Sequence, residues 1–417
     1  MISSGLLDPG RCHRCGFCLP VCPTYRDTGI ETQSPRGRVA LIKAAVSGTL
    51  ALSRNLQEQL YHCLDCRACE TVCPAGVRIG AAVTLIRSCL DERFPRSLFM
   101  TLLLKQLWPY HGWWELASRL LHGYQSWSSV GNPWHRWLLS RLPVPVAILE
   151  QLLPTSNGRP LRTHIDEVLP ARGKEKQRVG FFLGCVMNAF FPQVSLATIQ
   201  VLAENGCQVV IPKDVRCCGA PHHSLGDFDT LKKVARHNIA LFRKSGVSTV
   251  ITDCAACGAM LKEYGELLPD EGEEFSTSVC DISEFLTQME LRPFTVAVPG
   301  RFTYHDPCHL VHAQGVARQP RQLLQAIPGL ELVEMAEAEA CCGSAGIYNL
   351  THPSRAANVL DRKMSNIAAS GAAGVVTANP GCLMQLAWGT KRTRQAKSLW
   401  HISQLLAQAY GLPPKAE

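Results

Sequence analysis

Long apolar runs are missing from this chain. The longest, near Leu98 to Leu104, is broken by Lys105 and falls short of the roughly 18 to 20 residues that cross a bilayer, so no membrane crossing is predicted. Blocks of Lys and Arg are missing too. The 42 basic and 34 acidic residues leave a net charge of +8 with the basic side chains scattered through both halves, which excludes nucleic acid as a partner. Met1 opens without a basic n-region, apolar core and small-residue cleavage site, which predicts a reducing cytoplasm and no disulfide scaffold. No G-x-G-x-x-G follows a strand to open a helix, and neither a nucleophile elbow nor an H-E-x-x-H helix occurs. Flavin and nicotinamide are therefore not expected in this chain.

What is abundant is cysteine. Twenty cysteines stand in 417 residues of globular composition, 46% hydrophobic and 18% charged, a length for two or three domains. Two copies of one grid lie near the start: Cys12-x2-Cys15-x2-Cys18-x3-Cys22-Pro23 and Cys63-x2-Cys66-x2-Cys69-x3-Cys73-Pro74. Three thiolates at three-residue intervals wrap one corner of a cubane, and the fourth, before proline, reaches the other cluster. Two [4Fe–4S] clusters are expected, with crossed ligand sets: Cys12, Cys15, Cys18 and Cys73 on one, Cys63, Cys66, Cys69 and Cys22 on the other. Structural zinc is the alternative, but zinc knuckles use two separated pairs, not four cysteines in eleven positions closed by Cys-Pro.

The fold class expected is α+β multidomain: a helical two-[4Fe–4S] ferredoxin domain followed by two duplicated α/β cysteine-rich lobes. The domains are placed at residues 1–95, 96–177, 178–290 and 291–417. In the first, Pro35-Arg36-Gly37-Arg38 and the periodic stretches Val39 to Val46 and Leu50 to Leu60 predict helices between the cluster loops, and Ala81 to Leu90 predicts another. From Phe94 to Pro154 acidic residues nearly vanish and Trp108, Trp113, Trp114, Trp127, Trp134 and Trp137 recur among Lys105, Arg119, Arg136 and Arg141. Such a segment is either an interfacial amphipathic element or a helical linker whose tryptophans pack on other domains or a partner. Leu161 to Gln177 reads as a linker.

An internal repeat fills the rest. Val179 to Cys185 and Phe302 to Cys308 are short strands ending in cysteine; Cys217-Cys218-Gly219 and Cys341-Cys342-Gly343 follow after a helix and a strand. Each half then ends in a strand and a cysteine turn, Cys254-Ala-Ala-Cys257 and Asn379-Pro-Gly-Cys382. Alternating strands and helices predict parallel sheets whose carboxyl ends carry every cysteine group. Such soft donor sets suit a metal or an iron–sulfur centre and exclude magnesium and calcium. The first set is Cys185, Cys217, Cys218, Cys254 and Cys257; the second is Cys308, Cys341, Cys342 and Cys382. Paired buried thiols without metal remain the alternative. His222, His223, His305, His309 and His312 lie near these cysteines and are read as ligands, proton relays or, individually more often, packing residues. Cys89, Cys207 and Cys280 are read as structural thiols. Gly219 and Gly343 are read as permitting close backbone approach.

These motifs resemble the cysteine-rich CCG domain family of heterodisulfide reductase subunits, anaerobic glycerol-3-phosphate dehydrogenase, lactate-utilisation proteins and glycolate oxidase iron–sulfur subunits. The first lobe fits the family pattern in full; in the second, Asn379 stands where the wider pattern has cysteine. The two ferredoxin grids and segments such as Thr-Asp-Cys254-Ala-Ala-Cys257-Gly-Ala-Met and Asp-Pro-Cys308-His-Leu resemble the glycolate oxidase branch over nearly the whole chain. The resemblance implies an electron-transfer subunit, peripheral on the inner face of the cell membrane. It also implies a FAD-containing partner that oxidises glycolate, D-lactate being a further substrate, and a membrane or quinone acceptor. An additional iron–sulfur centre or zinc in the lobes, and a disulfide-reducing catalyst in place of a relay, are the other readings it carries.

Overall fold

The computed structural model describes residues 9–129 and 150–412; Trp134, Trp137, Arg136 and Arg141 lie outside them. Two of the expected ferredoxin helices start where a serine side chain takes over a free backbone N–H. Ser34 accepts from Gly37 N at 2.9 Å to open helix Pro35–Val46, with proline at its first position, and Ser53 accepts from Leu56 N to open Arg54–Tyr61. These helices and Ile79–Arg93 bury Val39, Leu60, Val83 and Leu90 against one another, each side chain contributing roughly 1.5–3 kcal/mol.

Beyond them the described residues form nine strands in two sheets. The first holds β1 (Val168–Leu169), β2 (Gln177–Phe181), β3 (Cys207–Val210), β4 (Val250–Thr252) and β5 (Val279–Asp281) in the order β1-β3-β2-β4-β5. The second holds β6 (Gly300–Tyr304), β7 (Leu330–Leu332), β8 (Gly374–Thr377) and β9 (Ser398–His401) in the order β7-β6-β8-β9. All pairings are parallel except β1 with β3. The stretch read as a linker thus supplies an antiparallel edge strand to the first lobe. Central strands β4 and β8 are buried at every residue, as a sheet covered on both faces requires. Both lobes share the order second-first-third-fourth strand. The chain reverses direction across the sheet between β2 and β4, and between β6 and β8, the crevices where such sheets bind ligands.

The lobes are related by an approximate two-fold and share one apolar core, in which Phe181, Ile251 and Ile282 meet Phe302, Tyr304, Val376 and Ile402. Helix Pro192–Glu204 of the first packs on Ile402–Ala409 of the second, and Arg318–Gln325 of the second on Ile282–Leu286 of the first. The symmetry is broken just after the third strand of each lobe. Ala255 N donates to Ala378 O at 3.1 Å, but the residue matching Ala255 is Pro380, which has no N–H. Asp253 O instead accepts from His401 Nε2 at 2.9 Å, while His401 Nδ1 accepts from Ser403 N.

Candidate metal centres

The two ferredoxin grids turn the same way. Arg14 and Gly16 in the first, and Asp65 and Arg67 at the same places in the second, take positive φ, which coils each loop sharply. Cys22, Cys63, Cys66 and Cys69 together line one small cavity, whose wall also includes Thr24, Arg38, Leu64, Asp65, Arg67 and Ile79. One expected crossed set is thus brought together. Backbone N–H groups point at sulfurs, Asp65 N to Cys63 Sγ at 3.5 Å and Val77 N to Cys73 Sγ at 3.4 Å, as an anionic thiolate set favours. In the other set Cys15 is exposed and Cys18 half-buried, while Cys12 and Cys73 lie against the helical core.

Arg38 is the residue sequence reasoning missed here. It is buried with Nη1 3.8 Å from Cys22 Sγ and Nη2 donating to Thr24 Oγ1 at 2.9 Å. Burial opposes its charge, yet the sulfurs of Cys63, Cys22 and Cys69 outweigh burial and raise its pKa. A buried guanidinium needs a counter-charge, and the surrounding thiolates supply it. No local signal marked it, because its partners come from loops of both grids.

The loop carrying Cys66 sits where three domains meet. Arg67 pairs with Glu263, and His223 lies 3.8 Å from Asp65 and 3.9 Å from Glu263, tying the loop to the first lobe. On the other side Leu64, Cys66 and Ala68 pack directly on Cys341, Tyr348 and Ala356 of the second lobe, with Cys308 at the edge. Arg26 to Glu337 (2.6 Å), Arg355 to Gln33 (2.6 Å) and Asn358 to Asp27 (2.9 Å) fasten that interface.

In the first lobe all five expected cysteines are buried and lie in one apolar cluster. They form a row. Cys185 Sγ lies 4.0 Å from Cys217 Sγ, Cys217 contacts Cys218, Cys218 contacts Cys257, and Cys257 contacts Cys254. Hydrogen bonds from Cys185 and Cys218 hold the Cys217 thiol well below its ordinary value, while hydrogen bonding and burial push Cys185, Cys218 and Cys257 up. Gly219 follows at φ +89°, where an added Cβ would stand 2.3 Å from Leu231 Cδ1, so only glycine fits beside the double cysteine.

The tryptophan-rich segment covers this row. Pro109 O accepts from Cys217 N at 3.0 Å, and Leu104 O accepts from His222 Nε2 at 2.9 Å. Trp108 and Trp114 meet edge to face at 4.7 Å and pack on the first lobe. Trp113 and Leu120 point the other way, 49% and 66% exposed, with Leu116 and Trp127 on the same outward stripe of helix His111–Ser129. The segment therefore divides: one face packs inward, and the other carries the exposed Trp113, Leu116 and Leu120. No helix among them is long and apolar enough to cross a membrane.

In the second lobe Cys308, Cys341, Cys342 and Cys382 form a matching row, each thiol hydrogen-bonded to the next. Asn379 occupies the place of Cys254 and joins the two rows: its Oδ1 accepts from Ala256 N at 3.2 Å and from Cys254 Sγ at 3.6 Å, and its Nδ2 donates to Cys382 Sγ at 3.6 Å. His309 Nδ1 lies 3.5 Å from Cys308 Sγ, and His312 bridges Thr71 and Glu339 O. His305 is fully buried and neither ring nitrogen has a partner among the described residues. Burial, then the neighbouring Lys363 charge, hold it well below its ordinary pKa, so the ring is neutral. Cys207 is buried, while Cys89 and Cys280 are half-buried beside hydrophobic cores.

A family model described as "4Fe-4S dicluster domain" matches residues 9–77, and one described as "Cysteine-rich domain" matches residues 179–262 and 302–387. A protein of Bacillus subtilis (strain 168), "Probable glycolate oxidase iron-sulfur subunit", is 38% identical over 96% of this chain and 94% of its own length. The chain belongs to the family of glycolate oxidase iron–sulfur subunits. The "Glycolate oxidase iron-sulfur subunit" of Escherichia coli (strain K12) is 30% identical over 90% of this chain and 89% of its own. A component of the fumarate reductase (CoM/CoB) of Methanothermobacter marburgensis is 36% identical over 96% of this chain and 72% of its own length. As an iron–sulfur oxidoreductase component of this family, the chain joins one dicluster domain to two cysteine-rich lobes, as its sequence led us to expect.

Proposed function

We propose that the chain is the electron-transfer subunit of a glycolate dehydrogenase complex, receiving electrons from a FAD-containing partner that oxidises glycolate to glyoxylate, with D-lactate as a further substrate. The cavity lined by Cys22, Cys63, Cys66 and Cys69 carries the reading. These four would hold one [4Fe–4S] cluster, and Cys12, Cys15, Cys18 and Cys73 the other. When bound, such clusters accept and release single electrons at potentials set by charge, hydrogen bonds and burial. The protein's part is to tune and insulate them. Arg38 offsets negative charge at the buried cluster, the N–H groups of Asp65 and Val77 stabilise thiolates, and Leu64, Tyr348 and Ala356 keep water from the seam between Cys66 and Cys341.

That seam shields the buried cluster site on the side of the second lobe, while the five thiols of the first lobe suit a further iron–sulfur centre. The outward stripe of Trp113, Leu116 and Leu120, with Arg119 on the same helix, supports peripheral attachment to the inner face of the cell membrane and delivery to a quinone. Glycolate oxidation with an artificial acceptor tests the division of labour: the complex turns over and the isolated subunit does not. Activity in the isolated subunit refutes it.

The five buried thiols also favour a second reading, a lobe that takes two electrons and two protons to split a disulfide into two thiols. Thiol release from a small disulfide, driven by reduced viologen in cluster-loaded protein, separates the two.

A further inference from the structure

The second lobe is not a damaged copy of the first. Where Asn379 removes a sulfur, the fold supplies a nitrogen from a different strand. His305 follows β6 as Phe182 follows β2, and the register is the same, with His305 N bonded to Val376 O and Phe182 N to Ile251 O, both at 2.8 Å. Phe182 fills apolar space in the first lobe. Its counterpart is a fully buried imidazole whose ring nitrogens make no hydrogen bond among the described residues, an arrangement that is unfavourable unless a ligand completes it.

What faces that ring is sulfur. One ring nitrogen of His305, Cys342 Sγ and Cys382 Sγ all lie within 4.8 Å of one another, and all three residues are buried. No such tight triad forms among the five first-lobe thiols, which run in a row. A row of spaced thiols suits a polynuclear cluster; three donors around one point suit a single ion. We propose that His305, Cys342 and Cys382 bind one divalent cation of the zinc type. The donors are two soft sulfurs and one imidazole, a set that zinc takes at about 2.3 and 2.0 Å and that magnesium and calcium refuse. Binding releases two thiol protons and leaves a neutral unit of Zn²⁺, two thiolates and one imidazole, which a buried site tolerates. The fourth position goes to water, which leaves that charge unchanged. The ion ties together the end of β6, the double-cysteine turn and the start of helix Pro380–Thr393, and it holds Cys341 against the loop of Cys66. Being redox-silent, it gives the lobe a fixed shape and no electron store.

This proposal is independent of the ferredoxin clusters, whose iron reports on the reading above. The test is zinc and iron analysis of anaerobically purified full-length protein, with X-ray absorption at the zinc edge. About one zinc per chain is expected, with at least two sulfurs and one imidazole nitrogen around it. His305→Phe copies the residue of the first lobe and should weaken zinc at least about 100-fold against a chromophoric chelator, leaving cluster iron unchanged. His305→Cys should keep the ion and exchange its nitrogen scatterer for sulfur. Zinc absent from the wild type, a shell without nitrogen, or full affinity in His305→Phe overturns the proposal. Should His305→Phe fail to fold, the wild-type absorption edge and His305→Cys decide alone.

Discussion

Arg38→Met is the sharpest probe of how this chain sets a potential. The arginine is only 2% exposed, and its guanidinium lies 3.8 Å from the sulfur of Cys22. Two unit charges about 4 Å apart interact by about 4 kcal/mol at an effective dielectric near 20. The electron added on reduction spreads over a whole cluster, so Cys22 carries only a share of it and the remainder lies farther away. A loss of roughly 1–3 kcal/mol in the reduced state follows, which for one electron is about 40–130 mV. The sign is fixed: removing a positive charge disfavours the added electron, so the potential falls. Redox titration followed by EPR should show one signal shifted down by that amount and the other nearly still. The unmoved cluster is the one on Cys12, Cys15, Cys18 and Cys73, and Arg38→Lys should recover part of the shift. Equal shifts in both signals, or a larger shift in the second, would refute the crossed assignment and the role of Arg38 together.

Three further outcomes are expected. Asn379→Ala strips the acceptor from Ala256 N and should lower stability by about 1–3 kcal/mol in urea unfolding, with both ferredoxin EPR signals retained. Burial holds His401 down to about 4, below the roughly 6.5 of an unfolded chain; the unfolded state therefore takes the proton first as pH falls. Its contribution is present above about pH 6.5 and disappears toward pH 4. His401→Gln should thus remove about 2 kcal/mol of the stability lost between pH 7 and pH 5, read from urea midpoints at the two pH values. The pair Trp113→Ser and Leu120→Ser should cut sedimentation with anionic lipid vesicles several-fold without changing iron content, and unchanged sedimentation would leave that stripe to a protein partner.

Much of this architecture was legible because metal ligation writes itself locally. A Cys-x2-Cys-x2-Cys-x3-Cys-Pro run closes over a few angstroms of chain, and its duplicate reappears with the same left-handed positions at Arg14 and Gly16, Asp65 and Arg67. The parallel sheets were legible for a related reason. Val250 to Thr252 and Gly374 to Thr377 are short apolar runs, each ending at a cysteine turn or its counterpart. What stayed hidden depends on contacts between distant segments. Nothing local tells Arg38 from a surface arginine, since its burial depends on loops converging from both grids. Val168–Leu169 is too short and too polar in its flanks to declare itself a strand, and only β3 as a partner makes it one.

Asn379 shows most clearly why a pattern and a fold give different answers. Counted along the chain, it is a missing thiolate and weakens the case for metal in the second lobe. In space it lies on the approximate two-fold, within reach of Cys254 in one row and Cys382 in the other. Two thiolates meeting across that axis would repel; one amide satisfies both sides, because its oxygen accepts from one lobe and its nitrogen donates to the other. The lost donor and the gained His305 therefore belong together. A duplicated lobe that must press its cysteine turn against its twin gives up the sulfur nearest the axis, and a fresh ligand has to come from the opposite edge of the site, where β6 ends.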